Sequence, residues 1–212
     1  MKLDKAMKPL LGIHQKKSLT FIDDNILMNS FVELIIETVR RYHFDGLFFY
    51  FDGEQHYKNY RFEKFLQILT EKTDEDATQS GNRRLFLVYA IPSSTIQYAR
   101  HRLSVIQTYF DALYLVAEDI PAVDDPLVAL HLQPLYPSNT IPREDSIVSY
   151  SAIAICNQSE NAERLVNSGV PINKIIIGLS TWARSYVLQD PEDIGHGNPA
   201  SVTQDLLSFY YS

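Results

Sequence analysis

The sequence predicts an α/β protein built on a parallel sheet. Strand-length apolar runs recur along the 212 residues and alternate with stretches whose apolar residues are spaced as in helices. The strand runs are apolar on both faces, which is typical of parallel strands covered by helices. This alternation favours either a closed barrel or an open, doubly wound sheet. The length suits one large domain or two small ones.

The first two strands and the first helix lie in the first quarter of the chain. Residues 9–14 form a short apolar run that we interpret as a strand. Residues 26–42 have apolar positions at three- and four-residue steps, which predicts a helix capped by Asp23 or Asp24. Residues 44–54, F-D-G-L-F-F-Y-F-D-G-E, predict a buried strand. The predicted apolar positions of the helix are Ile26, Leu27, Phe31, Leu34, Ile35 and Val39.

The middle of the chain continues the alternation. Residues 57–73 predict a second amphipathic helix, followed by a polar loop over residues 74–82. Residues 84–91 predict a third strand, and residues 93–109 a helix that begins at a serine cap. Residues 110–117 predict a fourth strand.

The last part of the chain is less regular. Residues 118–145 contain five prolines and no clear period, which is typical of a functional or disordered loop. Residues 146–168 predict a helix that ends at Gly169. Residues 174–181 predict a fifth strand, and the tail from Gln189 shows no clear element over most of its length.

Charge and composition limit the classes of partner. Nineteen basic and 26 acidic residues give a net charge of -7, and the basic residues are scattered, which argues against nucleic-acid binding. No apolar run reaches the roughly 18 residues of a membrane helix, so no membrane partner is predicted. Cys156 is the single cysteine, so no internal disulfide can form.

Motifs for cofactors and metals are missing from the sequence. No G-x-G-x-x-G follows a strand and no G-x-x-x-x-G-K is present, so nucleotide binding by those loops has no support. No His, Cys, Asp and Glu residues have metal-ligand spacing, and the six histidines are dispersed. We therefore predict neither a cofactor nor a metal.

Four stretches resemble one enzyme family. Asp45-Gly46 with an acid at Asp52 resembles the D-G-x-D-x-D-x-E signature of family 18 glycoside hydrolases, the family of chitinases and chitinase-like lectins. L-G-I-H-Q at residues 11–15 resembles the third-strand S-x-G-G pattern with both glycines replaced. Stretches resembling the sixth and seventh strands follow in the right order, D-A-L-Y-L-V-A-E-D at residues 111–119 and N-K-I-I-I-G-L-S-T-W-A-R-S-Y-V-L at residues 173–188.

The resemblance implies a (β/α)8 barrel of the TIM type, of which the chain matches strands three to seven. Because such barrels typically need about 250 residues, we expect an incomplete barrel and a fragment of a longer protein. A five-stranded open sheet that is stable by itself is the alternative. We expect residues 1–188 to form the partial barrel and residues 189–212 to begin the family's inserted subdomain.

The resemblance also implies where catalytic groups would stand. Family 18 enzymes use the acetamido oxygen of the substrate as nucleophile, with a glutamic acid as proton donor and an aspartate that orients the acetamido group. Counting from Asp45, the proton donor corresponds to Asp52, the orienting aspartate to Tyr50 and a deeper aspartate to Phe48. Asp52 is a degenerate acid position, one methylene shorter, and a strand-end turn or N-cap role is its alternative.

Further positions are candidates for sugar binding by resemblance, although Glu118 departs from the tyrosine of the motif. Trp182 follows the seventh strand, and packing beneath its loop is the alternative to stacking on a sugar. Phe48 and Tyr50 have the alternative role of barrel core. The candidates are Glu118, Asp119, Tyr136, Trp182 and Arg184.

The leading hypothesis is a catalytically inactive chitinase-like protein with chitin or chitooligosaccharide as partner. A weakly active hydrolase that uses Asp52 as general acid is one alternative, and an interaction protein without a sugar site is another. The resemblance implies secretion, whereas the charged start of the chain does not predict a signal peptide, so a cytoplasmic location is the alternative. The sequence predicts no oligomeric state.

Overall fold

The computed structural model describes most of the predicted elements. The structure describes residues 7–15, 19–51, 60–92, 96–116, 129, 135–136, 158–179, 185–192, 194 and 198–202. Side chains are described for all of these residues except 96–101.

Five strands form one sheet whose spatial order is the order of the chain, β1-β2-β3-β4-β5. The pairs β1–β2 and β2–β3 are parallel. A doubly wound sheet would reverse its strand order at a switch point, whereas a barrel adds each strand beside the last. The order confirms the barrel type, and the described residues do not close it. The strands are β1 Leu10–Gln15, β2 Gly46–Phe51, β3 Phe86–Pro92, β4 Ala112–Val116 and β5 Ile175–Ile177.

Helices follow the first four strands in the chain. Short 3-10 turns lie at Thr20–Asp23 and Ile172–Lys174. Within the described residues no helix combines the length and the apolar character that crossing a bilayer requires. The helices are α1 Asn25–Arg41, α2 Tyr60–Ser80, α3 Ile96–Tyr109 and α4 Gln158–Asn167.

Helix α1 begins with a side-chain cap. The Asp24 carboxylate accepts hydrogen bonds from the backbone N–H groups of Ile26 and Leu27 at 2.7 and 3.1 Å, so Asp24 rather than Asp23 is the N-cap. The predicted apolar face is wrong at Ile26, Leu27 and Leu34, which are exposed. The buried face of α1 is therefore turned relative to the predicted one. Its core residues are Met28, Val32, Ile35, Ile36 and Val39.

Helix α2 is longer than its sequence pattern predicts. The polar loop predicted over residues 74–82 is wrong, because the helix continues to Ser80 and ends before Gly81, whose φ is +68°. Asp76 pairs with Arg40 of α1, and Asp74 with Arg84 at the start of the next strand. These long-range ion pairs stabilise a polar extension that carries no apolar period.

The structure also changes the predictions for the end of the chain. Strand β5 has three residues instead of the eight predicted over residues 174–181, of which 180 and 181 lie outside the described residues. Tyr186–Leu188 (β6) pairs antiparallel with Ala200–Val202 (β7), a ladder that the polar tail did not predict. The chain forms two compact units, one of Met1–Tyr114 with Leu165–Ile176, and one of Leu115–Arg164 with Ile177–Ser212.

An aromatic core fills the space between sheet and helices in the first unit. Phe49 and Phe51 of β2 are fully buried, and each ring lies 6.1–6.3 Å from the ring of Phe65 in α2. Tyr89 of β3 and Phe110 before β4 join them, with ring centroids 5.1 Å apart. Burial of such rings dominates core energetics, so this face of the sheet is structural.

Candidate functional site

The candidate site lies on the opposite face of the sheet, which we call the inner face. Side chains alternate along a strand, so the packing of Phe49 and Phe51 against the helices turns Phe48 and Tyr50 to the inner face. The register pairs Gly12 with Phe48 and His14 with Tyr50. The side chains of residues paired across adjacent strands lie on the same face of the sheet, so Gly12 and His14 of β1 belong to the inner face as well.

Aromatic rings occupy the inner face. The His14 imidazole lies flat on the Tyr50 ring, with centroids 4.7 Å apart and an interplanar angle of 5°. Phe48 meets Tyr114 of β4 edge to face, with centroids 5.3 Å apart. His14 is exposed, and the other three rings are half-buried. The inner face of this unit therefore combines apolar ring faces with polar ring tips.

The positions that resemble the family's deeper carboxylates carry these rings. Tyr50 stands where the motif has the orienting aspartate, and Phe48 where it has the deeper one. A tyrosine hydroxyl is a neutral donor and acceptor, and phenylalanine offers neither. The described part of the inner face thus lacks the two negative charges that the motif would place there.

Most of the other predicted site residues lie outside the described residues. These are Asp52, which follows β2, and four residues from the second half of the chain. Their roles as acid or sugar contacts stay predictions. The four residues are Glu118, Asp119, Trp182 and Arg184.

Tyr136 belongs to the second unit and is exposed, with 68% of its surface accessible. The preceding residue, Leu135, accepts a hydrogen bond through its carbonyl from the backbone N–H of Ser159 at 3.1 Å. This bond ties the short Leu135–Tyr136 segment to the first turn of α4. Tyr136 is therefore exposed beside a segment that is tied to α4, and its role as a sugar contact stays a prediction.

His14 lies on the inner face, although no motif in the sequence identifies it as a site residue. The six histidines are dispersed in the sequence, and no spacing in the chain relates residue 14 to residue 50. Only the parallel register of β1 and β2 brings the two rings together. A signal did exist, since L-G-I-H-Q departs from the S-x-G-G pattern at His14.

A groove lies on the helical side of the first unit, between α1 and α2. This groove has a volume of about 810 Å³. Ion pairs cross or flank it, Arg40 with Asp76 and Lys72 with Glu33. Paired charges of this kind order the contact between the two helices, so we interpret the groove as structural. No group of three potential metal ligands occurs among the described residues.

Comparison with known sequences supports the resemblance seen in the motifs. The sequence profile of "Glycosyl hydrolases family 18" matches residues 17–210. Chitotriosidase-1 of Mus musculus is 28% identical over 178 residues, which are 81% of this chain and 36% of the relative. The endochitinase of Brugia malayi is 28% identical over 176 residues, covering 81% and 32%. This chain spans about a third of the length of these curated relatives.

Solved structures have the same fold. A GH18 chitinase from Cycas revoluta in complex with allosamidin superposes with a TM-score of 0.76 at 22% identity, over 96% of this chain and 59% of the other. Human YKL-39, described as a pseudo-chitinase with retained chitooligosaccharide binding, gives 0.69 at 20% identity, over 91% and 53%. The predicted barrel-type fold is confirmed. Since the family profile covers most of the sequence, this chain belongs to the family 18 glycosyl hydrolases.

Proposed function

We propose that this chain is a chitinase-like protein that binds chitin or chitooligosaccharides and does not hydrolyse them. The observation that carries the proposal is the stack of Tyr50 on His14, since the motif count from Asp45 predicts an assisting carboxylate at residue 50. An aromatic pair can contact a sugar ring, but it cannot supply the charge that the family's reaction uses. An extracellular location belongs to the same proposal and rests on the family resemblance alone.

Electrostatics argues against hydrolysis. When the acetamido oxygen attacks the anomeric carbon, positive charge develops on the acetamido group. A carboxylate about 4 Å away stabilises such a charge by roughly 4 kcal/mol at an effective dielectric constant of about 20, which is roughly a thousandfold in rate. Tyr50 provides no such charge. Its stacked neighbour His14 is either neutral or positive, so it has the wrong sign to replace the carboxylate.

The aromatic inner face supports binding. A pyranose ring has an apolar C–H face and a polar rim, and side chains such as Tyr and His combine the same two characters. YKL-39, with a similar fold, is described as binding chitooligosaccharides as a pseudo-chitinase. We extend that property to this chain, with Trp182 as a proposed stacking residue. Asp119 and Arg184 are proposed contacts to sugar hydroxyls, and Glu118 and Tyr136 further contacts.

A chitin pull-down paired with hydrolysis of a fluorogenic chitobioside tests the proposal. We expect retention on chitin and no release of the fluorophore. Turnover that disappears in Asp52→Ala would instead identify a weak hydrolase with Asp52 as general acid. A chain that is not retained on chitin and shows no turnover would instead be an interaction protein without a sugar site. Trp182→Ala provides a further check, since it should weaken retention only if sugar is bound.

A further inference from the structure

Strand β1 forms an unprotected edge of the five-stranded sheet. The strand order places β1 at the end of the sheet, so among the described residues its outer backbone groups have no strand partner. Natural edge strands are usually protected by proline, charged side chains, bulges or short length. Residues 10–15, L-L-G-I-H-Q, contain no proline and no Asp, Glu, Lys or Arg, and the apolar Leu11 and Ile13 are only half-buried. The outer edge of β1 therefore offers hydrogen-bonding groups and apolar surface to a further strand.

Helix α1 has an exposed apolar seam on the side of this edge. Leu27 and Leu34 are seven residues apart and are 55% and 60% exposed. Ser30 lies between them and is also exposed, so the three residues have the spacing of a helix–helix contact. Helix α2 pairs with another side of α1, through Glu33 and Arg40. The seam, defined as Leu27, Ser30 and Leu34, therefore lies outside both the core and the contact with α2.

One two-fold axis can relate the edge and the seam to a second copy of the chain. Antiparallel pairing of β1 with its copy keeps the inner faces of both sheets on one side and both α1 helices on the other. A helix that connects adjacent parallel strands packs over them. With strands about 4.8 Å apart, the two copies of α1 then lie about 10 Å apart. Helices that pack directly on each other are typically separated by about 8–10 Å.

The seam is complementary to itself in this arrangement. An isologous contact uses the same surface of both subunits, so each residue pair occurs twice. When α1 runs antiparallel to its copy with the axis near Ser30, Leu27 lies opposite Leu34 of the copy and Leu34 opposite Leu27 of the copy. The small Ser30 between them allows the two helices to approach closely.

The charges at the ends of α1 favour the antiparallel direction. Asp23 and Asp24 precede the helix and are exposed, and Arg41 lies in its last turn. Arg41 pairs with Glu37 of its own helix and is 65% exposed, so it remains accessible to a carboxylate of the copy. An antiparallel contact brings the acidic end of each helix to the basic end of the other, whereas a parallel contact brings like charges together.

We propose that β1 and the seam of α1 form a self-association surface through which two copies of this chain join their five-stranded sheets in a two-fold dimer. The backbone of β1 pairs antiparallel with its copy, and the two seams cover each other. This surface is an addition to the proposed sugar binding and does not depend on it.

The mass in solution tests the proposal. Light scattering coupled to size-exclusion chromatography over a dilution series should give about 48.6 kDa at the higher concentrations, twice the 24.3 kDa of the chain. Leu34→Glu places two like charges in the paired seams, and we expect at least about tenfold weaker association. Its circular dichroism spectrum should match that of the unaltered chain, because Leu34 is exposed. Ile172→Glu is the matched control, since Ile172 is 77% exposed and precedes β5 at the other end of the sheet.

Hydrogen exchange locates the contact within the dimer. We expect the amides of residues 10–15 to exchange more slowly at high concentration in the unaltered chain than in Leu34→Glu. A monomer at every concentration would overturn the proposal, and so would a dimer that persists in Leu34→Glu or is lost equally in Ile172→Glu. A dimer without added protection at residues 10–15 would overturn the strand pairing, and larger open-ended assemblies would contradict the closed two-fold contact.

Discussion

Replacing Gly46 with alanine should separate strands β2 and β3 where their pairing begins. A Cβ on Gly46 would lie 1.9 Å from the carbonyl oxygen of Phe86 and 2.7 Å from its carbonyl carbon. Cβ atoms keep at least 3.0 Å from other heavy atoms, so the two backbones must move apart by about 1.1 Å, the difference between 3.0 and 1.9 Å. A shift of that size disrupts the hydrogen bond from Phe86 N–H to the Asp45 carbonyl, now 3.0 Å long.

The expected cost combines overpacking, about 1–3 kcal/mol, with a weakened backbone hydrogen bond, about 1 kcal/mol. Gly46→Ala should therefore lower the free energy of unfolding by about 2–4 kcal/mol, measured by urea unfolding followed by far-UV circular dichroism. Gly12→Ala is the matched control on the neighbouring strand. It meets no described atom and should raise stability by about 0.4–1 kcal/mol. Equal unfolding free energies for the two variants would refute the steric argument.

Three further predictions concern the site and the helix ends. Tyr50→Asp combined with Asp52→Glu should produce measurable hydrolysis of a fluorogenic chitobioside, because it restores two of the three carboxyl positions of the motif and leaves Phe48 at the third; turnover no higher than the parent's would show that the replacements at positions 50 and 52 are not what prevents the reaction. Asp24→Ala should lower the unfolding free energy by about 1 kcal/mol in urea titrations, since it removes the cap of α1, and Asp23→Ala, which leaves the cap in place, should not. Lys174→Met should cost about 1.5–3 kcal/mol, because its ammonium donates to two carbonyls at the end of α3, and an unchanged thermal midpoint would contradict this role.

The sequence by itself determined the type and order of most elements. The apolar pattern changes between strands and helices because a covered parallel strand is buried on both faces and a helix on one, and both patterns can be read from residues close together in the chain. The motif count from Asp45 also needed no coordinates, since a strand has a strict period of two. That count identified positions 48 and 50 as places where carboxylates are replaced.

Helix limits were less predictable, because distant partners decide them. Helix α2 extends through a polar segment that forms ion pairs with Arg40 of α1 and with Arg84, which lies just before β3. The β6–β7 ladder likewise pairs residues that an irregular polar segment separates. Neither feature has an apolar period that a local pattern could reveal.

Alternation alone left the barrel type and the doubly wound sheet open, because it is the same in both; the motif resemblance predicted the barrel, and the strand order of the tertiary structure confirmed it. Only the tertiary structure decided the composition of the inner face. His14 and Tyr50 are 36 positions apart, and a shift of one residue in the register of β1 would have turned His14 toward the helices. Sequence alone could place an aromatic ring at residue 50. The stack exists because two strands meet in one particular register.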